Sequence, residues 1–172
     1  MPTWHKLSGF VSYSYMVGNV WLPVSGGLFL GGDAQEALDD LSGHFPDSQD
    51  QRNTLFTRWV YQVHPRFWVA GGIQYGSGLP FEFDGDYETA LEQYGPQVLS
   101  RVNFARGRIY PSFLVSASAG VDVYKSDRMN VRFQVDGQNL TNLLNVIDFA
   151  GLFSGNAIGP GRSATMRLTT SF

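Results

Sequence analysis

Six stretches of this chain alternate apolar and polar side chains with a period of two, and that rhythm constrains the fold more tightly than any other feature. Leu7 to Val17 sets Leu7, Gly9, Val11, Tyr13, Tyr15 and Val17 against Ser8, Ser12 and Ser14. Asn53 to Val63 sets Leu55, Trp59, Tyr61 and Val63 against Thr54, Arg58 and Gln62, and Phe67 to Tyr75 sets Phe67, Val69, Ile73 and Tyr75 against Ala70, Gly72 and Gln74. Phe113 to Tyr124 sets Phe113, Val115, Ala117, Ala119, Val121 and Val123 against Ser112, Ser116, Ser118 and Asp122. Asn130 to Asn139 alternates Val131, Phe133 and Val135 with Asn130, Arg132, Gln134, Asp136 and Gln138. Ser163 to Phe172 alternates Ala164, Met166, Leu168 and Phe172 with Ser163, Thr165, Arg167, Thr169 and Ser171. Each stretch runs nine to twelve residues. That is the length of a tilted membrane strand and exceeds the usual soluble strand of about five or six.

Charge placement sharpens the reading. Arg58, Asp122, Arg132, Asp136 and Arg167 are the charged residues inside these stretches, and all of them sit on the polar parity. One face is therefore apolar, and the other is rich in Arg, Asp, Gln, Asn and Ser. Membrane barrels carry that inversion, apolar toward lipid and polar toward a wet lumen. A soluble antiparallel sheet, with one face on a core and one in water, alternates in the same way.

Connection lengths separate the two. His64-Pro65-Arg66 joins the second and third stretches, and Lys125-Ser126-Asp127-Arg128 joins the fourth and fifth. The other links are long, running roughly from Gly18 to Arg52, Gly76 to Ser112 and Leu140 to Arg162. Short turns at one end and long loops at the other match the periplasmic turns and extracellular loops of a membrane barrel. The expectation is an all-β fold: an antiparallel up-and-down transmembrane β-barrel segment of about six strands, an open sheet by itself, with long extracellular loops carrying short helices. Helical spacing appears at Ala34 to Leu41 and at Tyr87 to Val102.

Composition agrees. Charged residues make up 16% of the chain, below the roughly 25% of a typical soluble domain. The first two long links hold 11 of the 15 acidic residues, which reads as a solvated surface. A net charge of -3 gives no basic footprint, so no nucleic-acid partner is expected. Cysteine is absent, which removes disulfides, thiolate metal sites and a cysteine nucleophile. No apolar run approaches the roughly 18 residues of a membrane helix. The opening Met1-Pro2-Thr3-Trp4-His5-Lys6 lacks the apolar stretch and cleavage site of a secretory signal, although a place in the outer membrane requires export.

Catalysis finds no candidate, so no enzymatic activity and no cofactor are expected. His5, His44 and His64 are scattered singly, without a second histidine at ligand spacing. No nucleophile elbow, phosphate loop or His-Glu-x-x-His occurs. Asp39-Asp40 reads as solvated surface, and Asp84-Gly85-Asp86 with Glu88 lacks the spacing of a calcium loop. Asn139-Leu140-Thr141 matches a glycosylation sequon, but at the end of a strand the structural reading is preferred.

Several segments resemble a known family. Asp50-Gln51-Arg52-Asn53-Thr54-Leu55 resembles a strand opening of TonB-dependent receptors, and Tyr75-Gly76-Ser77-Gly78-Leu79-Pro80 their strand-to-loop exit. Gln138-Asn139-Leu140-Thr141-Asn142, followed by Asn145-Val146, resembles the element before their final strand, and Arg162 through Phe172 resembles that strand with its terminal aromatic. The resemblance runs in order over nearly the whole chain. It implies that residues 1–172 form the C-terminal portion of a larger receptor barrel, with the plug domain and N-terminal strands missing. It implies import of a scarce nutrient, such as a metal chelate or oligosaccharide, across the outer membrane. Energy would come from an inner-membrane complex reached only through the missing part, so the chain alone is expected to be an inactive fragment. Met166, Leu168 and Phe172 resemble the signal read by the barrel-assembly machinery. The substrate and any ligand-contacting residue stay unknown at this stage. The competing classes are a small soluble β-barrel binding an apolar ligand, which would want an apolar lumen, and a stand-alone membrane barrel, which would want at least about eight strands.

Overall fold

The computed structural model describes residues 3–4, 6–21, 44–46, 50–81, 83, 85–126, 128–151 and 155–172. In chain order the strands are β1 (Thr3–Trp4), β2 (Leu7–Tyr15), β3 (Asn19–Trp21), β4 (His44–Pro46), β5 (Asn53–His64) and β6 (Phe67–Gly76). Helix α1 (Tyr87–Leu99) follows, then β7 (Val102–Asn103), a 3-10 turn (Phe104–Arg106), β8 (Arg108–Ile109), β9 (Ser112–Lys125) and β10 (Asn130–Gln138). The chain ends with β11 (Val146–Gly151), β12 (Gly155–Ile158) and β13 (Ser163–Ser171).

A seven-stranded sheet in the order β1-β2-β5-β6-β9-β10-β13 dominates. Every neighbouring pair is antiparallel. The six long strands are the six alternating stretches; β2 stops two residues early at Tyr15, and the other ends agree within one residue. The three long links build paired strands of their own, β3 with β4, β7 with β8 and β11 with β12. Among the described residues β1 and β13 are the outer strands and do not pair with each other, so the sheet is open.

The register carries the alternation across the whole sheet. One row runs Leu7, Tyr61, Val69, Ala119, Val135 and Met166, and the next polar row runs Gln62, Trp68, Gly120, Gln134 and Arg167. In the apolar row Tyr61 and Val69 are eight residues apart, whereas Ala119 and Val135 are sixteen apart, so the second short turn lies four residues further along the strands. Turns at a common level then require inclined strands, as barrel closure does.

Three details depart from strict alternation, the first a register shift between Gln62 and His64 on the β5–β6 pair, beside the short turn. The β9–β10 register shifts between Val131 and Arg132: Asp122 faces Arg132, but Tyr124 faces Val131. The extra residue is a β-bulge, and it carries Tyr124 onto the apolar face and Lys125 onto the polar face beside Asn130. The polar parity also holds Phe10, Phe56, Val60, Trp68 and Leu114. That face is mixed rather than uniformly polar, with Phe10 stacked on Phe56 at a 5.5 Å ring separation.

The buried apolar core lies in the loops. Ala90, Val98, Leu99, Val102, Ile109, Val146 and Phe149 form it, all from the second and third long links. Phe149 sits at its centre, with ring centroids 5.0 Å from Phe81 and Tyr94, 5.9 Å from Phe104 and 6.0 Å from Phe83. Helix α1 matches the expected Tyr87 start but ends at Leu99, short of Val102, which is already in β7. Asp86 caps it by accepting from the Thr89 N–H at 2.8 Å. Gly95 (φ 78) and Pro96 kink it. The helix expected at Ala34 to Leu41 lies outside the described residues, as do His5, Asp39, Asp40 and Asp84. No helix among the described residues is long and apolar enough to cross a membrane, which says nothing of strands.

Candidate functional site

The sheet presents two faces of opposite character, and among the described residues neither carries a packed layer of protein. On the apolar face Val11 is 74% exposed, Met166 73%, Leu168 68% and Tyr13 61%. None of them belongs to the core cluster. Aromatic side chains gather at both ends of this face. Tyr13, Tyr75 and Phe113 share the row with Leu55 near the long connections. Phe67, Phe133 and Tyr124 lie toward the short turns. Met166 and Leu168 stand beside Val135 and Phe133 on the outer strand, and Phe172 follows at its end, 95% exposed. The three residues singled out at the C-terminus thus share one exposed strand end.

The polar face is organised by hydrogen bonds. Arg132 Nε donates to Asp122 Oδ1 at 2.8 Å. Asp136 accepts from Ser118 Oγ at 2.6 Å and from Gln134 Nε2 at 2.7 and 2.9 Å, so both of its oxygens are engaged. Trp68 lies against Gly120: a Cβ there would stand 2.5 Å from the indole, so only glycine leaves room for the ring. Arg58, Gln62, Trp68, Ser118, Arg132 and Asp136 surround a shallow depression of about 310 Å³. Arg132 and Arg167 border a second one of about 280 Å³ with Thr169 and Ser171.

At the rim, where the long connections leave the sheet, a buried carboxylate ties the first two of them together. Asp50 is 1% exposed. It pairs with Arg108 Nη2, accepts from the Gly18 N–H at 3.4 Å and lies 3.5 Å from Arg52 Nε. Arg108 Nη1 also donates to the Asp50 carbonyl at 2.9 Å and the Gly78 carbonyl at 3.2 Å. Burial alone would push the Asp50 carboxyl up. The hydrogen bonds from Arg108 and Gly18 and the charges of Arg108 and Arg52 outweigh it and hold the group below the ordinary carboxylate range.

Of the segments that carried the family resemblance, Asp50–Leu55 and Tyr75–Pro80 meet here. Asn53 exchanges hydrogen bonds with Ser77, its N–H donating to Ser77 Oγ and its carbonyl accepting from the Ser77 N–H, both at 3.0 Å. Tyr13 Oη donates to Asn53 Oδ1 at 2.7 Å. Gly78 (φ 90) is obligatory, because a Cβ would fall 2.0 Å from the Ile109 carbonyl oxygen. Asn139 and Asn142 both adopt the left-handed conformation that asparagine tolerates (φ 49 and 53). Asn139 is buried and donates to the Leu143 and Pro160 carbonyls at 3.0 Å each, a placement that leaves no room for a glycan. Asn145 accepts from the Phe113 N–H at 2.8 Å and donates to the Phe113 carbonyl at 3.2 Å, replacing a strand partner where β9 begins. These residues are joints between the loops and the sheet.

Sequence reasoning missed the role of Asp50 and the ring floor at Trp68. Asp50 carried one usable signal, an acidic residue directly before a strand beside Arg52; its partner Arg108 lies 58 residues away and carried none. No protein family, curated protein or solved structure matches the chain.

Proposed function

We propose that this chain forms part of the β-barrel wall of an outer-membrane active-transport receptor of the TonB-dependent kind, importing a scarce nutrient such as a metal chelate or oligosaccharide. The observation that supports it is the sheet's division into an exposed apolar face, bordered at both ends by aromatics, and a hydrogen-bonded polar face holding every charge of the long strands. Burying exposed apolar side chains stabilises by roughly 1.5–3 kcal/mol each, and lipid is the phase that would do so here. Aromatic girdles at two levels and a polar interior belong to such walls. An open edge is not tolerated in hydrocarbon, so β13 and the part of β2 beyond its short pairing with β1 call for further strands. The plug and the remaining strands of the receptor would supply closure and the link to the inner-membrane energy source. The cap built from α1, β7, β8 and β11 then faces the exterior.

Because the chain has no native cysteine, single cysteines test this reading without background. Cysteines at Val11 and Met166 should react with a lipid-soluble maleimide in vesicles and resist a water-soluble one. Cysteines at Ser12 and Thr165 should show the reverse. Equal labelling of both faces by the water-soluble reagent, with a monodisperse soluble monomer, would instead support a soluble sheet or barrel.

A further inference from the structure

The polar face holds three arginines, Arg58, Arg132 and Arg167, and two carboxylates, Asp122 and Asp136, in the long strands. Both carboxylates are already engaged, Asp122 by Arg132 and Asp136 by Ser118 and Gln134. Arg132 spends only its Nε on Asp122. The Arg58 side chain makes no hydrogen bond or ion pair among the described residues. The depression bordered by Arg58, Arg132 and Trp68 therefore has spare charged donors, and its one carboxylate, Asp136, already accepts hydrogen bonds at both oxygens.

We propose that this depression binds a small solute carrying an oxyanion, a carboxylate or a phosphate ester, on a flat apolar body; the inference rests on the transport reading and narrows its substrate class. Guanidinium groups meet planar oxyanions through paired charge-assisted hydrogen bonds, the strongest kind of hydrogen bond to such a group. The indole of Trp68, backed by Gly120, supplies a flat surface on which an apolar body stacks. The volume of about 310 Å³ suits a small solute rather than a folded partner. The binding step is reversible and makes or breaks no covalent bond. Ser118 and Gln134 are neutral donors, so Asp136 keeps its negative charge, and the oxyanion sits toward Arg58 on β5, away from Asp136 on β10.

Adenosine monophosphate joins both chemistries in one probe, with adenosine as its uncharged counterpart and inorganic phosphate as the bare anion. The full chain, in vesicles or in detergent micelles, is equilibrated with labelled nucleotide by dialysis. Adenosine monophosphate should bind, inorganic phosphate should compete, and adenosine should bind at least about tenfold more weakly. Arg58→Gln should lower the nucleotide affinity about tenfold while leaving adenosine unchanged. Trp68→Leu should weaken both nucleotide and adenosine. Equal affinity for adenosine and its phosphate, an unaffected Arg58→Gln variant, or failure of phosphate to compete overturns the proposal. Two-faced maleimide labelling in the same sample keeps the outcomes apart: intact asymmetry without nucleotide binding sinks the oxyanion site alone, and lost asymmetry sinks the membrane-wall reading.

Discussion

Of the buried apolar residues among those described, the seven-stranded sheet contributes one, Ala70, whereas the connections between β6 and β9 and between β10 and β13 contribute the other seven. The larger region has almost no core, and the smaller one has nearly all of it. In the loop cap, Phe81, Phe83, Tyr94 and Phe104 close around Phe149, as apolar groups do when water is the only solvent. In the sheet, β-branched and aromatic side chains of equal hydrophobicity stand exposed in ordered rows. The same chemistry in two arrangements points to two surroundings: the cap is built to exclude water by itself, and the sheet is built to be covered. Asp50 and Arg108 lie at the joint between them.

The comparison breaks most readily at Phe149. Phe149→Ala removes the ring at the centre of the cap and should cost about 3–5 kcal/mol of local stability. If cap and sheet are separate cores, hydrogen exchange should quicken in α1, β7, β8 and β11 while β5, β6, β9 and β10 stay protected. Uniform loss of protection would make them one cooperative unit.

Neighbouring substitutions on β10 probe the sheet's two faces directly. Val135→Arg sets a charge in the apolar row between Ala119 and Met166, and on the proposed lipid-facing wall it should cost about 2–4 kcal/mol. Gln134→Arg, one residue away on the polar face, should be nearly neutral. Denaturant titrations of the vesicle-inserted protein compare them, and equal tolerance would remove the distinction between the faces.

The joint itself is next in size. Asp50→Ala leaves the half-buried Arg108 guanidinium without its carboxylate and should loosen the cap by about 1–3 kcal/mol. The Asp50 carboxyl is held below its ordinary value of 3.8, so its stabilisation is fully present above that value and is lost as pH falls through the lower folded value. Limited proteolysis between β6 and β9 should therefore accelerate in acid, below about pH 4. The Asp50→Ala protein should be cleaved faster at neutral pH and show a weaker acid response. An unchanged acid response in the variant would assign it to other carboxylates.

How much of this was legible in the sequence follows from range. Period two is a property of adjacent residues, so all six long strands and both short turns could be read from local pattern. The cap core joins Phe81, Tyr94 and Phe104 to Phe149 across a long stretch of chain with no shared period, and nothing local announces it. The Asp50–Arg108 pair is hidden for the same reason. The bulge in β9 escaped because Val123 and Tyr124 are both acceptable on an apolar face, so alternation gives no warning of the extra residue. Trp68, Phe10 and Phe56 escaped because the polar face was recognised by its charges, which say nothing about the uncharged residues between them. The family-like segments were visible as strings, but only the hydrogen bonds of Asn53, Asn139 and Asn145 give them a physical role.

The smallest expected effect concerns the strand end that both regions leave free. Phe172 follows β13 and is 95% exposed, beyond the last paired residue Ser171 opposite Asn130. It contacts neither the cap nor the sheet's polar network, so its deletion should leave the unfolding midpoint of the assembled protein nearly unchanged, by less than about 0.5 kcal/mol. Its exposed face continues from Met166 and Leu168, the pattern proposed as the signal to the barrel-assembly machinery. A residue used in that way acts before the barrel is finished, so deletion should lower the amount assembled in the outer membrane without altering what has assembled. Quantifying folded protein by its resistance to detergent unfolding, beside total protein in the same membranes, separates the two. A shifted midpoint with unchanged yield would make Phe172 an interfacial anchor of the wall. Reduced yield with an unchanged midpoint would leave the sheet's stability to its rows and give the last residue a role in assembly alone.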